Sequence, residues 1–476
     1  MVFSSAVFLF IFLPAVFILY RLIPTLKYKN LFLALASIVF YAFGRIDYVL
    51  LFLASVCINY ISGLLLMGKG TRRKLCLALC VVLNIGLLGV FKYTDFIITS
   101  LNAAFSLSIP TFGIPLPVGI SFFTFQGLSY SIDVYRDPRS GTRDFRKLLL
   151  YISFFPQLVA GPIVKYHDVS AQIEERRCTS EQTAYGVRRC IFGLSKKLLI
   201  ADTVGFIADK VFHEYLPGGV GDWRLMWLGA ACYTLQIYFD FSGYSDMAIG
   251  MGRMFGFTFR ENFDHPYGAA SMKEFWRKWH ISLSSWFKEY LYIPLGGNRK
   301  GRARTALNKF IVFFCTGIWH GANWTFVFWG LGHGLLTSLE DLGVIPAEKL
   351  GRSALGRVVG KVYTLFSVML LFVFFNSDSF SSAFRLIALM FTGRPDAYSG
   401  FLLRSLLTPA ACFVLLLAVL LAGNLPGRLK ALVSGSRAAG SAALQLLGYT
   451  GLLLLYLLCV MCLARGGFNP FIYFQF

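Results

Sequence analysis

An all-α polytopic membrane protein is the fold class this sequence predicts, and three observations carry the prediction. Of 476 residues, 56% are hydrophobic and 14% charged, whereas a soluble domain is about one quarter charged. Apolar runs of spanning length, about 17–25 residues, recur along the whole chain. The formal charge of +21 is gathered into short loops between those runs, as the positive-inside rule expects of cytoplasmic loops. Such loops would meet anionic headgroups, so the charge gives no reason to expect nucleic acid.

The clear runs are Phe3–Tyr20, Tyr48–Met67, Leu75–Phe91, Leu225–Met251, Phe310–Leu336, Val358–Phe375, Phe401–Ala422 and Leu446–Ala464. Shorter or more polar candidates lie at Leu31–Phe43, Val118–Tyr130, Leu148–Val164 and Ile191–Val211. Together they predict about a dozen (11–12) embedded helices, some re-entrant, in one integral-membrane domain over residues 1–476. The first run has no basic stretch before it and no small-residue cleavage site after it, so it reads as a retained span that starts on the outer side. The ten cysteines show no paired framework; most sit in apolar runs as packing residues. Cys459 and Cys462 have CxxC spacing without a matching second pair, and no metal site is expected.

The basic loops are Arg21–Lys29, Lys69–Lys74, Arg136–Lys147, Arg299–Arg304, Arg352–Lys361 and Arg428–Arg437. Alternation places the first two on one side without difficulty. Arg299–Arg304 and Arg352–Lys361 conflict, because only the run Phe310–Leu336 separates them. As one simple span it would put them on opposite sides; a re-entrant or broken segment would not. Between Leu107 and Leu307 the order of crossings is left open.

Polar chemistry collects in that middle region. Pro117 suits a first helical turn in Leu116–Gln126, and Pro156, Gly161 and Pro162 interrupt Tyr151–Lys165 as a broken segment lining a cavity would. Asp240 and Asp246 end the apolar run from Leu225, and Asp240 shares a helical face with Tyr244 through i,i+4 spacing. Carboxylates there need partners or water, either as helix cross-links or as the lining of a site. In Phe275–Tyr290, the residues Trp276, Trp279, Leu283, Trp286, Phe287 and Tyr290 form one aromatic stripe of a predicted helix lying in the interface plane. His280 falls at the stripe's edge, where it could turn toward protein or headgroups, and the residues alone favour a stabilising interfacial histidine.

His320 is the most informative residue. It lies at the midpoint of an apolar run of spanning length, where a titratable ring is costly and marks a functional candidate facing a protein-lined cavity. The competing reading is a histidine hydrogen-bonded for structural reasons. The chain has no Walker loop, dinucleotide fingerprint, HExxH pair or nucleophile elbow. A buried histidine without a dedicated serine or cysteine suits direct acyl transfer. Its neutral ring would take the proton of an attacking hydroxyl and return one to a leaving thiolate. Asn323, tryptophan N–H groups or backbone amides could hold the oxyanion. Asp240, Tyr244, Asp246, Trp319 and Asn323 are therefore taken as lining the substrate path. For any one basic loop the plain cytoplasmic-loop reading is preferred, and the loop that meets a donor is left open; Arg299, Lys300, Arg302 and Arg304 are the candidates for holding its phosphates.

Several segments then resemble the membrane-bound O-acyltransferase family, closest to its alginate O-acetyltransferase branch. They begin with Phe91–Tyr93, Leu116–Phe125, Val159–Val164, Asp240–Gly250 and Glu261–Tyr267. They continue with Arg277–Trp286, Tyr290–Asn298, Trp319–Trp324 and Pro470–Phe476. The resemblance implies a helical disc with a thinned centre and a central tunnel, with His320 catalytic and His280 its polar partner. It also implies acetyl-CoA or another acyl thioester as co-substrate, with no permanently bound cofactor. The acetyl group would pass to a polysaccharide acceptor through an extracytoplasmic partner of the SGNH-hydrolase type, at a bacterial plasma (inner) membrane. Two other readings stay open: D-alanyl transfer to teichoic acid from a carrier-protein thioester, and a non-catalytic polysaccharide or lipid-linked transporter. The latter would show an inverted repeat, and none is evident.

Overall fold

The computed structural model describes residues 1–159, 161–423, 427, 441–465 and 471–472. It is helical throughout, with no strand among the described residues. Among the described residues, four helices are long and apolar enough to cross a bilayer: Asp47–Leu66, Arg72–Phe105, Ala354–Phe375 and Ala442–Ala464. Ala397–Leu406 and Pro409–Ala422 form a further candidate, bent by 69° where Pro409 cannot continue the preceding helix. Trp223–Met254 is an unbroken helix of 32 residues that is not among these candidates, and the other embedded segments are shorter or broken. The basic cluster Arg428–Arg437 and most of the Pro470–Phe476 motif lie outside the described residues.

The chain forms two compact units: residues Met1–Cys190 with Tyr244–Glu261, and Ile191–Gly243 with Asn262–Ile472. In the first, helix Asp47–Leu66 meets Arg72–Leu88 and Ile120–Arg136 through a buried polar cluster. Asn59 and Asn84 exchange side-chain amide hydrogen bonds of 3.0 and 3.2 Å, and Ser131 Oγ donates to Asn59 Oδ1 at 3.1 Å. Where lipid offers no polar partner, such bonds favour one helix register. Pro117 falls in a turn just before the helix rather than in its first turn. Gly119, at φ 77°, makes the entry, and the helix proper starts at Ile120.

The basic loops of this unit share one end. Arg73 donates to the carbonyls of Leu66 and Tyr135, and Tyr60 to that of Arg143. Lys147 pairs with Glu174, and Asn30 donates to the Ile173 carbonyl. The clusters near Arg21, Lys69 and Arg136 are thereby tied together, as cytoplasmic loops should be. The expected break after Tyr151 is also present: helix Phe145–Ser153 stops, Phe155–Leu158 makes one turn, and a helix resumes only at Tyr166.

In the second unit the apolar run Phe310–Leu336 is not a single span. It is an antiparallel hairpin of Gly301–His320 and Trp324–Leu342. Glycine makes the hairpin close: a Cβ at Gly330 would strike the Phe313 carbonyl oxygen, and one at Gly317 the Phe326 carbonyl oxygen. At the open end Asp341 pairs with Lys273 and Lys309, and Glu340 accepts the Met272 N–H at 2.6 Å. A Cβ at Gly360 would meet the Ala270 carbonyl oxygen, which brings the start of Ala354–Phe375 to the same end. The two conflicting basic loops therefore lie on one side, and His320 sits at the hairpin's apex.

The interfacial helix predicted over Phe275–Tyr290 is also corrected. It is two helices, Met272–Lys278 and Ile281–Phe287, parted at His280 by a left-handed backbone of φ 44°. His280 is 0% exposed, so it belongs to the protein interior and not to the headgroups.

Candidate functional site

The apex of the hairpin positions the site. His320 ends its helix, is 2% exposed, and is enclosed edge-to-face by three rings. Their centroids lie at 4.9 Å for Trp319, 5.0 Å for Trp329 and 5.2 Å for Phe375. Trp319 also meets the His280 ring at 6.0 Å. The fold thus brings the two expected histidines, 40 positions apart in sequence, to one indole.

His280 is held by Asn262, which the sequence reading passed over as a site residue. His280 Nδ1 lies 3.2 Å from Asn262 Oδ1, which also accepts the Ser282 N–H at 3.1 Å and the Ser282 hydroxyl at 2.8 Å. An amide oxygen only accepts, so Nδ1 must carry the hydrogen and Nε2 the lone pair. The left-handed backbone of His280 is strained for a non-glycine residue, and surrounding structure must hold it. The Ile281 N–H given to the Asn262 carbonyl at 2.9 Å contributes to that hold.

Asn323 caps the second hairpin helix: its Oδ1 accepts the Thr325 N–H at 3.1 Å, while Nδ2 donates to the Asp378 carbonyl at 2.9 Å. That satisfies an orphan helix donor and ties the apex to the loop after Phe375. Trp319 is buried beside both histidines. Asp240 and Asp246 each have ion-pair partners. Lys197 Nζ lies 2.7 Å from Asp240 and 2.8 Å from Asp202, and Asp240 Oδ2 accepts the Ile472 N–H at 2.8 Å. Asp246 pairs with Arg189 at 2.6 Å, and Arg189 also reaches Glu261. Tyr244 stacks on Phe3 at 4.5 Å. These contacts hold helices together, and they give Asp240 and Tyr244 different surroundings despite their shared face.

A cavity of about 430 Å³ lies in the second unit, lined by apolar Trp276, Leu283, Phe287, Val312 and Phe313. Lys273, Arg277, Lys288 and Lys309 supply cations to its wall. Thr316, one helical turn before His320, also lines it. Arg299 and Lys300, just before the hairpin, and Arg302 and Arg304, in the first turn of Gly301–His320, are exposed, and none is part of this lining. The lining cations could have been suspected from Lys273, Arg277 and Trp276, which share the short helix Met272–Lys278. An apolar trough with cations along it suits an elongated ligand carrying phosphates at one end.

His333, a further residue missed from sequence, is 0% exposed. Its Nδ1 accepts the Trp276 indole N–H at 3.3 Å, and its ring meets Trp329 at 4.9 Å.

Residues 134–343 match the model of the MBOAT, membrane-bound O-acyltransferase family. The chain is 40% identical to the Azotobacter vinelandii protein named "Probable alginate O-acetylase AlgI", over the whole of both chains. It is 34% identical to the peptidoglycan O-acetyltransferase of Helicobacter pylori, over 81% of this chain and 79% of that one. It is 28% identical to the teichoic acid D-alanyltransferase of Bacillus subtilis, over 46% of this chain and 57% of that one.

Proposed function

Because this multi-pass membrane protein belongs to the membrane-bound O-acyltransferase family, in its alginate O-acetylase-like branch, we propose that it carries acetyl groups from cytosolic acetyl-CoA to polysaccharide hydroxyls outside the cell. It is an O-acyltransferase, and a non-catalytic transporter is no longer a competing account. The D-alanyl alternative is the weaker one, since its relatives match less than half of this chain while the acetylase match runs full length. The membrane is taken to be the bacterial plasma membrane. An SGNH-type protein is taken to receive the group on the outer side.

The observation that carries the reading is the placement of His320. It is a buried imidazole at a hairpin apex, one turn beyond the cation-lined cavity and on the opposite end of the hairpin from the basic loops. In the proposed chemistry the donor's phosphates meet Lys273, Arg277, Lys288 or Lys309, and its apolar arm lies along Leu283, Phe287 and Phe313. His320 accepts the proton of the acceptor hydroxyl as its oxygen bonds to the thioester carbonyl carbon. The C–S bond then breaks and the thiolate takes up that proton. His280, with Nδ1–H held by Asn262, presents Nε2 as a second basic nitrogen. The aromatic enclosure keeps water away from these groups and strengthens electrostatic interactions within it.

The test is acetyl transfer by purified protein in nanodiscs, supplied with labelled acetyl-CoA and its SGNH partner. His320→Ala, still folded, should lose transfer by about 10²–10⁴-fold, the usual contribution of a positioned general base. Transfer retained in that variant would remove His320 from the chemistry.

A further inference from the structure

His320 is absent from the lining of the cavity, although Thr316, one turn away on the same helix face, is part of it. Indole rings occupy the way between. Trp276 forms part of the cavity wall and meets Trp329 at 5.8 Å and 65°. Trp329 in turn meets His320 at 5.0 Å and 84°. Trp276 is held there by one directed bond, its N–H to His333 Nδ1 at 3.3 Å. His333 is itself fixed between Phe275, stacked at 6.1 Å, and Trp329 at 4.9 Å. A buried indole N–H needs such an acceptor.

We propose that Trp276 and His333 form a latched gate between the cavity and His320, with the indole as the moving leaf and His333 as the residue that positions it. The proposal rests on the reading of the cavity as the donor site. A thioester in the cavity meets the closed indole and reaches His320 only when the N–H···Nδ1 bond breaks and the Trp329 ring, packed on Trp276, His333 and His320, shifts with it. The latch thereby limits wasted donor. With the gate open and no acceptor bound, a water oxygen could bond to the carbonyl carbon, giving its proton to the imidazole. The C–S bond would break and the thiolate would take up that proton, releasing acetate and free thiol.

Full-length protein in nanodiscs, given labelled acetyl-CoA without acceptor, should release acetate slowly. His333→Leu and Trp276→Phe should each raise that release about tenfold, the equivalent of one lost hydrogen bond. His333→Asn, whose Oδ1 can accept the same N–H, should stay near wild type. The double variant Trp276→Phe/His333→Leu should not exceed either single one, because both remove the same bond. Acetate release that is unchanged in both single variants would overturn the gate.

If the wild-type protein consumes no acetyl-CoA even with acceptor present, the proposed function fails, and accessibility then decides the gate. His320→Cys, in a background with the ten native cysteines replaced, is labelled by a small methanethiosulfonate added from the cytosolic side. Adding His333→Leu or Trp276→Phe should speed labelling about tenfold. Equal rates in variants that elute as folded protein would overturn it.

Discussion

Asn262 does for His280 what no neighbour in sequence could do. It fixes the ring's tautomer, caps the helix that follows through the Ser282 N–H, and holds a left-handed backbone in place. Asn262→Ala should therefore cost about 1–3 kcal/mol of whatever His280 contributes, or roughly ten- to a hundredfold in turnover. Donor KM should change little, and steady-state kinetics would check the split. A second titratable residue makes a prediction about stability. His167, on the helix Tyr166–Glu174 beyond the embedded segments, lies 2.9 Å from Asp133 and 3.5 Å from Asp168. The hydrogen bond to Asp133 raises its pKa above the ordinary histidine value. A raised folded-state value means stabilisation that is complete below about pH 6.5 and fades as pH rises through the folded value. The melting-temperature difference between wild type and His167→Gln should thus be larger at acid pH than at alkaline pH. An equal difference at both would exclude the pair as a stabilising contact.

The hairpin of Gly301–His320 and Trp324–Leu342 is the element on which the site depends. Its helices approach so closely that Gly317 and Gly330 face opposing carbonyls. Gly330→Val should force them apart, with about 1–3 kcal/mol of destabilisation typical of overpacking, and should displace the Trp329–His320 contact. Loss of both melting temperature and transfer is expected. A fully active, equally stable variant would mean that the close approach is unimportant. The sequence showed this region as one apolar run because both arms are apolar and the turn at Gly321–Asn323 is brief. Hydropathy averages over windows longer than that turn. The basic loops that seemed to conflict were the signal of the hairpin, since only a re-entrant path puts Arg299–Arg304 and Arg352–Lys361 on one side.

For the molecule as a whole, the distribution of charge dictates orientation. Cysteines placed at Arg302 and Lys361 should both be labelled from the cytosolic side of sealed vesicles, and neither from outside. Labelling from opposite sides would restore the single span. Each unit also carries an ionic tie, Arg189–Asp246 in the first, where the arginine is half-buried, and Lys197–Asp240 in the second, buried at both ends. Removing one partner leaves an uncompensated buried charge. Lys197→Met should thus destabilise by about 3–5 kcal/mol, and adding Asp240→Leu should recover part of that. Thermal unfolding in detergent would read both, and a double variant no better than the single one would show that the pair is not coupled.

Fold class, the basic loops and the candidacy of His320 were legible in the chain because they depend on composition, local charge and the cost of a titratable group in lipid. So were the broken segment after Tyr151 and the family motifs around His280 and His320. What only the tertiary structure decided is which side chains meet. The left-handed break at His280 turns an apparently continuous aromatic stripe inward. Asn262 and His333 gain their roles through contacts 18 and 57 positions away. The cations that line the cavity are gathered from Met272–Lys278, Lys288 and Gly301–His320 by the way these segments pack, while the denser cluster at Arg299–Arg304 stays outside its lining. Periodicity and charge are properties of neighbours along the chain. A site assembled from hairpin, break and cavity wall depends on packing between segments, which local pattern does not encode.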